Sequence, residues 1–564
     1  MPLSPSVVAY FSMEIGLETG IPTYAGGLGI LAGDTVRAAA DTGLNMVAVT
    51  LLSRAGYFRQ HLNTRGDQRE EPVLWSVEGR LTEMPARVAV CIEGRDVTLR
   101  AWRYDVRGAN GHLVPTYFLD SDLEINSGDD RHLTHNLYGG DERYRLCQEV
   151  ILGIGGVRML RALGHREILR YHMNEGHAAL LSLELLAEQV GDSPAITRAH
   201  LDAVRGQCVF TTHTPVQSAH DRFHPALARS VLGENSLLWE AESELCCNGV
   251  LDLTMLALHN SHYINGVAKR HGETSRAMYG QYTIDSITNG VHAATWTSAA
   301  MAGLFDQYIP DWRRDNVSLR TAMGIPTRQI RESHLTNKCI LLDHVRSRTG
   351  VDMDKSVLTL GFARRATAYK RPDLLFTDIE RLLAIVRRAG PLQIIYGGKA
   401  HPHDESGKDL IRSVFAAAEQ LRGEVSVVYL EDYDIEQARL LTAGVDIWLN
   451  TPQPPMEASG TSGMKAALNG VPSFSVLDGW WVEGCIEGVT GWSVGEKAVG
   501  PHDSEKRVPD AEQLYDKLES VIMPLYYRNP EDFASVMRSA IALNGSFFNT
   551  ERMVQQYIAK AYFR

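Results

Sequence analysis

In the C-terminal half of the chain, short apolar runs alternate with longer segments in which apolar residues recur every three or four positions. The short runs predict buried strands, and the longer periodic segments predict helices. The predicted strands are Val357–Phe362, Leu392–Tyr396, Val425–Leu430, Val445–Asn450 and Val471–Leu477. The predicted helices are Pro372–Ala389, Gly407–Leu421, Ile435–Ala443 and Met464–Asn469. This alternation predicts an α/β fold with a parallel sheet that is covered on both faces.

The N-terminal half begins with the same alternation. Strands are predicted at Val7–Ser12 and Asn45–Leu52, and a helix at Ile30–Thr42 lies between them. Two charged or turn-rich regions, Asn63–Glu71 and Gly108–Asp130, indicate long loops or a β insertion. A long helix over Glu142–Leu163 is predicted to bend at its glycines.

The chain is expected to form two domains, because 564 residues are too many for one hydrophobic core. A predicted strand ends at Thr288, and an irregular, partly helical region separates it from the second alternation. We therefore predict a Rossmann-like domain over 1–288 and a second over 289–548, with helix 549–564 packing back on the first. Ligands bind at the carboxyl ends of parallel strands, so the expected site is the cleft between the domains.

Composition and charge narrow the classes of partner. The 56 basic and 68 acidic residues leave a net charge of −12, which argues against nucleic acid or an anionic membrane. The seven cysteines contain no C-x-x-C pair, so we expect a reduced, cytoplasmic chain with no metal site. Because no basic leader and no run of eighteen apolar residues occurs, neither a secretory signal nor a membrane span is expected.

The segment Glu457–Lys465 has the sequence Glu-Ala-Ser-Gly-Thr-Ser-Gly-Met-Lys and lies between two predicted strands. A turn of small residues that opens a helix presents free backbone N–H groups and the positive end of a dipole. The segment therefore predicts an anion site. Its lysine can meet the anion, or can hold a carbonyl cofactor as a Schiff base.

Three further segments are candidates for ligand binding, each with a structural alternative. Gly26–Gly33 holds four glycines and can bring backbone close to a phosphate, or is only a tight connection. Arg364–Arg371 places four cations in eight residues after a predicted strand, which indicates phosphate binding or a solvated basic surface. His213 follows the strand-like Cys208–Phe210, and a lone histidine there is either functional or structural.

Other chemistry-bearing residues are open to similar alternatives. Glu175 precedes an apolar helix and can simply favour its N-terminus. Trp480 and Trp481 offer faces on which a sugar ring can pack, or belong to the core or a domain interface. We interpret one loop, which lacks the spacing of metal ligands, as solvated; it holds His401, His403, Asp404 and Glu405.

Taken together, these segments resemble the α-glucan phosphorylases, the family of glycogen, starch and maltodextrin phosphorylases. The likeness runs in order through Gly26–Gly29, Phe210–Pro215, Ile287–Val291, Arg364–Lys370, Gly397–Lys399, Glu457–Lys465 and Leu477–Glu483. Leu137–Glu149 is similar to the shorter bacterial and archaeal branch. The resemblance implies a GT-B fold, in which two Rossmann-like domains face each other across a cleft, the first binding glucan and the second binding cofactor and phosphate.

The implied activity is retaining phosphorolysis. A terminal α-1,4-linked glucose of an α-glucan or maltooligosaccharide would react with inorganic phosphate to give α-glucose 1-phosphate. The implied cofactor is pyridoxal 5′-phosphate, whose 5′-phosphate relays a proton to the leaving glycosidic oxygen. The family usually forms dimers, so a homodimer is among the expectations.

The resemblance also assigns roles residue by residue. Catalytic roles fall to Lys370 and Arg365, which bring the two phosphates together, and to His213 beside the glucose. The cofactor would be held by Lys465 as a Schiff base and surrounded by Thr461, Ser462, Gly27, Arg364 and Trp296. Contacts to the substrates would come from Glu457, Asn289, Leu28, Gly460 and Tyr369.

The chain departs from the family pattern in three places. Arg364 stands where the animal enzymes have a lysine, Asp434 stands where they have an arginine, and Ser12–Gly16 lacks the aromatic that stacks on the cofactor ring. Because the first predicted strand begins at Val7, no control by N-terminal phosphorylation is expected. A sugar-nucleotide-dependent glucan synthase, which needs no Schiff-base lysine, and an inactive glucan-binding protein are the alternative functions. Chain-length preference stays open.

Overall fold

The computed structural model describes residues 8–193, 195–216, 220–233, 239, 250–495 and 509–563, and every structural statement below concerns these residues. The chain divides into two compact units. Unit 1 consists of Met1–Phe58, Pro72–Thr288 and Met553–Arg564, and unit 2 consists of Arg59–Glu71 and Asn289–Arg552.

The described strands fall into two large sheets and two small ribbons. In chain order they are β1 (Val8–Phe11), β2 (Met46–Leu51), β3 (Arg59–Leu62), β4 (Gln68–Glu71), β5 (Thr82–Ile92), β6 (Arg95–Arg107), β7 (Leu113–Asp120), β8 (Arg170–Asn174), β9 (Cys208–Thr211), β10 (Arg222–Phe223), β11 (Leu251–Asp252), β12 (Tyr263–Gly266), β13 (Asp285–Ser286), β14 (Leu358–Ala363), β15 (Leu392–Gly397), β16 (Ser426–Leu430), β17 (Ile447–Asn450), β18 (Ser473–Val476) and β19 (Gly491–Val494).

The described α-helices connect these strands or pack beside them. In chain order they are α1 (Gly27–Thr42), α2 (Gly128–Arg131), α3 (Glu142–Val150), α4 (Gly156–Ala162), α5 (Leu181–Val190), α6 (Arg198–Gln207), α7 (Pro225–Leu232), α8 (Leu253–His259), α9 (Lys269–Met278), α10 (Ala293–Trp296), α11 (Ala299–Tyr308), α12 (Thr327–Thr349), α13 (Ile379–Ala389), α14 (Glu405–Gln420), α15 (Ile435–Gly444), α16 (Ser462–Leu468), α17 (Trp481–Gly484), α18 (Asp510–Lys517), α19 (Met523–Arg528), α20 (Pro530–Ser539) and α21 (Thr550–Tyr557). None of them is long and apolar enough to cross a membrane.

The main sheet of unit 1 has nine strands among the described residues, in the order β13-β12-β9-β8-β1-β2-β7-β6-β5. The strands from β13 to β7 pair in parallel, and β7, β6 and β5 pair antiparallel. Along β1, Ala9 and Phe11 pack in one apolar cluster, and Val8 and Tyr10 pack in another. Successive side chains of a strand point to opposite faces, so both faces of this sheet are covered.

The structure decides between two alternatives for one segment of unit 1 and confirms the predicted helix in another. Gly108–Asp130 is not only a loop, because Leu113–Asp120 forms the buried strand β7. The helix over Glu142–Leu163 is present as α3 and α4, joined by a π-helical segment at Ile151–Gly155. A Cβ on Gly153 would lie 2.6 Å from the backbone nitrogen of Leu181, so glycine is needed there for close packing.

The sheet of unit 2 has six parallel strands among the described residues, in the order β16-β15-β14-β17-β18-β19. Every residue of β14, β15, β17 and β18 is buried. Such strands read as continuous apolar runs because helices cover both faces, which is why the sequence pattern located them. The prediction of a parallel α/β fold is confirmed.

The predicted helix at Pro372–Ala389 begins later than expected. A 3₁₀ turn at Leu374–Phe376 follows Pro372, and helix α13 starts at Ile379. The Asp378 carboxylate accepts a hydrogen bond of 2.9 Å from the backbone N–H of Arg381. This N-cap stabilises the helix start, so the prediction from Pro372 was wrong by about two turns.

The hairpin of β3 and β4 belongs to unit 2, although its sequence lies within the N-terminal half. The backbone N–H of Gln60 donates to Oδ1 of Asp432 over 3.0 Å, and its side-chain oxygen accepts the N–H of Asp432 over 2.9 Å. The Gln68 side chain bonds both the N–H and the carbonyl of Ala400. The hairpin is therefore joined to unit 2 by paired hydrogen bonds at two places.

The end of the chain packs on the sheet of unit 1. The Tyr557 hydroxyl lies 3.0 Å from the hydroxyl of Thr211, and the Tyr562 hydroxyl lies 2.7 Å from Nδ1 of His172. His172 is fully buried, and burial lowers its pKa to about 3. These bonds satisfy polar groups at the centre of the sheet, where an unpaired group would be costly.

Candidate active site

Several candidate residues of unit 2 follow the carboxyl ends of neighbouring strands. Arg364 comes directly after β14, Glu457 lies between β17 and α16, and Asp478 follows β18. Strands β14, β17 and β18 are adjacent and parallel. The carboxyl ends of adjacent parallel strands share one edge of the sheet, which is where α/β proteins bind ligands.

The buried carboxylate of Glu457 forms ion pairs with two cationic side chains at this edge of the sheet. Oε2 of Glu457 accepts hydrogen bonds of 2.6 Å from Arg364 and 2.5 Å from Nζ of Lys370. Arg364 also donates to the side-chain oxygen of Asn450. Glu457 is 6% exposed and Lys370 is 7% exposed. The structure thus gathers three candidate residues into one charge cluster.

Burial and charge shift the ionisation of this cluster. Burial opposes the charged form of Glu457, but Arg364 and Lys370 outweigh it and lower the pKa of Glu457 to about 2. Burial, with the repulsion of Arg364, lowers the pKa of Lys370 to about 7, although Glu457 acts in the opposite direction. Lys370 is therefore close to half-protonated at neutral pH.

Tyr369 and Arg365 lie beside the cluster. Nζ of Lys370 is 4.4 Å from the centroid of the Tyr369 ring, close enough for a cation–π contact. Burial raises the pKa of Tyr369 to about 12, so it is a hydrogen-bond donor at neutral pH. The Arg365 side chain bonds to Tyr369, and Arg365 itself is exposed. Its guanidinium can therefore meet a ligand from solvent.

Lys465 lies buried in helix α16, where it is 7% exposed. Its Nζ is 3.8 Å from the centroid of the Trp296 ring, which is also buried. The Asn469 side chain donates to the carbonyls of both Trp296 and Lys465, over 2.8 and 3.0 Å. Asn469 thereby fixes the lysine and the tryptophan relative to each other.

The small residues before Lys465 shape its surroundings. Oγ of Ser462 accepts a hydrogen bond of 3.1 Å from the Trp448 indole, and the Thr461 carbonyl accepts the N–H of Lys465. Gly460 has φ of +84°, a conformation that favours glycine. The segment can therefore turn sharply between the carboxylate and the helix.

Asn289 offers a buried acceptor. It is 3% exposed, and among the described residues no donor reaches its Oδ1. Its backbone carbonyl accepts a hydrogen bond of 3.0 Å from Arg552, which holds the residue in place. A buried acceptor without a partner is costly, so this atom suits a ligand hydroxyl.

In unit 1, His213 is held by its backbone and by its ring. Its N–H donates to Oε2 of Glu175 over 2.7 Å, and its Nε2 lies 2.7 Å from Oδ1 of Asn174. The Asn174 amide nitrogen donates to Oγ of Ser12 over 3.1 Å, which orients the amide. Nε2 therefore carries the proton, and Nδ1 is the nitrogen that can accept a ligand hydroxyl.

The histidine is neutral in this setting. Burial lowers the pKa of His213 to about 4, and Glu175 offsets only part of the effect. Glu175 has φ of +81° and also accepts the Thr214 hydroxyl over 2.9 Å. It therefore does more than favour a helix start, since it holds the His213 backbone.

The glycine-rich turn of unit 1 opens helix α1. A Cβ on Gly26 or Gly27 would meet no heavy atom within 4 Å, so the turn faces open space. Leu28 is partly exposed in the first turn of the helix. Backbone N–H groups of such a turn can approach an anion closely.

Comparison with known proteins identifies the family. A sequence model described as "Carbohydrate phosphorylase" matches residues 243–490. The maltodextrin phosphorylase of Thermococcus litoralis is 37% identical, over 98% of this chain and 70% of its own. The glycogen phosphorylase of Aquifex aeolicus is 34% identical over 98% and 86%, and that of Mycobacterium tuberculosis H37Rv is 35% identical over 99% and 71%.

The chain belongs to the carbohydrate phosphorylase family. This membership confirms the resemblance that was drawn from the motifs. The alignments cover 98% or 99% of this chain, so the similarity extends over almost the whole protein rather than over one motif.

Burial and hydrogen bonding decide two points that the sequence of this phosphorylase-family chain left open. Trp480 and Trp481 are buried, at 2% and 0% exposure, and the Trp480 ring packs against Phe548, so neither offers a face to a sugar. Asp434 caps helix α15 by accepting the N–H of Gln437 over 2.9 Å. Its carboxylate therefore has a structural role where the family pattern has an arginine.

Two residues of the phosphorylase-family chain were missed by sequence reasoning. Glu14 is 3% exposed, and its Oε2 accepts the N–H groups of Ala25 and Gly26, over 2.5 and 3.2 Å. Its other oxygen accepts the Tyr138 hydroxyl over 3.0 Å. Asp478 of unit 2 likewise accepts two backbone N–H groups, those of Glu457 and Gly479. The available signal was an acidic residue between apolar neighbours, as in Met13-Glu14-Ile15 and Leu477-Asp478-Gly479.

Proposed function

We propose that this chain is an α-glucan phosphorylase that acts on α-1,4-linked glucans or maltooligosaccharides. Inorganic phosphate would attack C1 of the terminal glucose, the C1–O4 bond would break, and O4 would take a proton. The products are α-glucose 1-phosphate and a glucan one residue shorter, with configuration retained. The names of the related proteins support this substrate class.

One observation carries the proposal. The nine residues Glu457–Lys465 hold a buried carboxylate at one end and a buried lysine at the other, and the carboxylate is joined to two cations. A glucan synthase that uses a sugar nucleotide needs cations for a diphosphate but no buried lysine on an aromatic ring. The pairing of Lys465 with Trp296 therefore supports a phosphorylase over a synthase.

The residues of unit 2 fit pyridoxal 5′-phosphate. Lys465 is a buried amine beside an aromatic face, the environment in which lysines bind carbonyl cofactors covalently. Thr461, Ser462 and Arg364 supply donors for a phosphate group, and Gly27 of unit 1 is assigned to the same role by the family pattern. When bound, the cofactor supplies a phosphate that passes a proton toward the leaving oxygen.

In the proposed reaction, the chain's own residues bind the substrate phosphate and the sugar. Lys370, Arg364 and Arg365 offset the charge of the substrate phosphate, because two phosphates in one site repel each other strongly. Glu457 and Asn289 would accept hydroxyls of the sugar. The family pattern assigns Gly460, Leu28 and Tyr369 as further substrate contacts. His213 is neutral, so its Nδ1 accepts a sugar hydroxyl and its backbone carbonyl faces developing positive charge.

The finer architecture is part of the proposal. A parallel sheet in unit 2 and a mostly parallel sheet in unit 1 support assignment to the GT-B class. We assign unit 1, which holds most of 1–288, to a glucan-binding domain and unit 2, which holds 289–548, to a cofactor- and phosphate-binding domain. A cytoplasmic location and a homodimer complete the assignment. Sedimentation velocity of the purified chain tests the dimer, and a single monomer-sized species would refute it.

The cofactor is tested by spectroscopy and labelling. The purified chain is expected to absorb as a pyridoxal protein, and borohydride reduction should fix the label on the peptide that contains Lys465. A Lys465→Ala variant is the matched control and should carry no label. Absence of the absorption band and of the labelled peptide in the wild-type chain would refute cofactor binding.

The reaction is tested by release of glucose 1-phosphate from maltooligosaccharides of graded length, with and without phosphate. Phosphate-dependent release supports a phosphorylase. Glucose transfer from a sugar nucleotide without phosphate would instead support the synthase, and glucan binding without turnover would support an inactive binding protein. Lys370→Ala should abolish release while the thermal unfolding midpoint stays within a few degrees.

A further inference from the structure

We infer that Asp478 is a positioning residue that fixes the Glu457 loop for sugar binding, an inference that rests on the proposed function. Asp478 is 3% exposed and follows strand β18. The family resemblance gives this residue no role. Its carboxylate accepts hydrogen bonds from the main chain, and the inferred effect on sugar binding passes through those bonds.

The Asp478 carboxylate uses each oxygen on a backbone N–H. Oδ2 accepts from Glu457 over 2.8 Å, and Oδ1 accepts from Gly479 over 2.9 Å. Hydrogen bonds from backbone N–H groups to a carboxylate are among the stronger ones in proteins. Asp478 thus fixes the residue whose side chain meets the sugar in the proposed reaction.

A second bond holds the same loop farther along. The Ser459 carbonyl accepts the N–H of Trp480 over 2.9 Å. Gly479 has φ of +54°, and a Cβ there would lie 2.4 Å from the Ser459 carbonyl oxygen. The two chain segments therefore approach each other too closely for any residue but glycine. The loop is held at Glu457 and at Ser459 by one opposing segment.

The Trp480 ring extends the contact to helix α16. A Cβ on Gly463 would lie 2.8 Å from Cζ2 of Trp480, so the ring packs directly on the first turn of the helix. The segment Leu477–Trp481 thereby supports the motif from Glu457 to Gly463. This gives the buried tryptophan a function: it packs beneath the loop rather than against a sugar.

The orientation of Glu457 matters because its carboxylate is shared. Its Oε2 accepts from both Arg364 and Lys370, so Oε1 is the oxygen left for sugar hydroxyls in the proposed reaction. A loop displaced by about 1 Å can cost on the order of a hundredfold in rate. Loss of the Asp478 bond is therefore expected to weaken sugar binding without removing any group that contacts the sugar.

Asp478→Asn is the test, since it keeps the shape but leaves one acceptor oxygen, uncharged, for the two N–H groups of Glu457 and Gly479. We expect about 10- to 100-fold losses in maltoheptaose affinity, measured without phosphate, and in kcat/KM for maltoheptaose. The KM for phosphate should change less than about threefold. Asp378→Asn is the matched control, because Asp378 also accepts a backbone N–H but only caps helix α13. That control should keep wild-type kinetics.

A double-mutant cycle separates positioning from general destabilisation. In a Glu457→Gln background, Asp478→Asn should cost less than about threefold, because the group it positions is already impaired. Equal losses in both backgrounds would overturn the inference, and so would unchanged maltoheptaose binding in the single variant. Gly479→Ala, which pushes on Ser459, should reproduce the loss if Asp478→Asn does not fold.

Hydrogen exchange keeps this inference independent of the reaction. The amides of Glu457–Gly460 should exchange faster in Asp478→Asn than in the wild-type chain, whatever the substrate. Unchanged exchange would refute the role of Asp478. A wild-type chain that never releases glucose 1-phosphate would instead refute the proposed function and leave the exchange result standing.

Discussion

Lys370 links phosphate binding to proton uptake in the proposed reaction. The pKa of this lysine is lowered to about 7 by burial and by Arg364. A phosphate dianion bound beside it supplies negative charge that favours the ammonium form. Binding at pH 8 is therefore expected to draw a proton from solvent onto the protein.

The size of the effect follows from the structure. With a pKa of about 7, most Lys370 amines are neutral at pH 8. At about 4 Å and an effective dielectric constant of about 20, each phosphate charge contributes ~4 kcal/mol. That equals about 3 pKa units, which restores full protonation. Uptake should therefore approach one proton per phosphate at pH 8, where free inorganic phosphate is already mostly the dianion and contributes little proton exchange of its own.

Titration calorimetry measures this uptake directly. Phosphate is titrated into the purified full chain in two buffers that differ in ionisation enthalpy, and the difference in heat gives the protons taken up. Lys370→Arg is the matched control, because arginine stays protonated at every pH tested. It should bind phosphate with uptake close to zero at pH 8.

Two results would refute this reasoning. Wild-type uptake near zero at pH 8 would mean that Lys370 is already protonated before phosphate binds. Equal uptake in the wild-type chain and in Lys370→Arg would place the titrating group elsewhere. Either result would leave the ion pair with Glu457 intact but would remove its coupling to phosphate.

Three further variants test other contacts. Asn174→Ala removes the acceptor for His213, worth about 1 kcal/mol, so kcat/KM should fall about fivefold; an unchanged value would contradict the orienting role. Glu14→Ala removes the acceptor of two backbone N–H groups and should lower the unfolding free energy by about 1.5–3 kcal/mol in denaturant titrations, an expectation that an unshifted midpoint would exclude. Lys338→Met removes the cation that pairs with the buried Asp446 and should lower the unfolding free energy by about 3–5 kcal/mol in the same assay. A decrease below about 1 kcal/mol would show that His334 alone compensates the charge of Asp446.

Much of the fold could be predicted because its parallel strands are buried on both faces. Leu392–Gly397 is apolar except for Gln393 and was located to within one residue. Strand β8 was missed, because Arg170-Tyr-His-Met-Asn174 looks polar in sequence. It is buried only because partners elsewhere, such as Thr211 and Tyr562, satisfy His172. No local pattern reveals partners so distant in sequence.

The candidate site was predictable where one motif carried it and less so where contacts are distant. Lys465 and Glu457 stood out through their spacing. The sharing of one Glu457 oxygen between Arg364 and Lys370 depends on residues about ninety positions away. Trp480 and Trp481 left two alternatives open, because an aromatic pair has the same sequence appearance whether it lines a sugar site or a core. Only burial separates these cases.

The hairpin of β3 and β4 can complete its hydrogen bonds only late in the synthesis of the chain. The backbone N–H of Gln60 can form its hydrogen bond only after Asp432, which lies 372 positions later in the chain, has been synthesised. At about 5–20 residues per second, a ribosome needs roughly 20–70 s to deliver that partner. During this interval the polar edges of the hairpin face solvent or a chaperone. Moving residues 59–71 by circular permutation to follow unit 2 would shorten the delay and should raise the yield of folded chain.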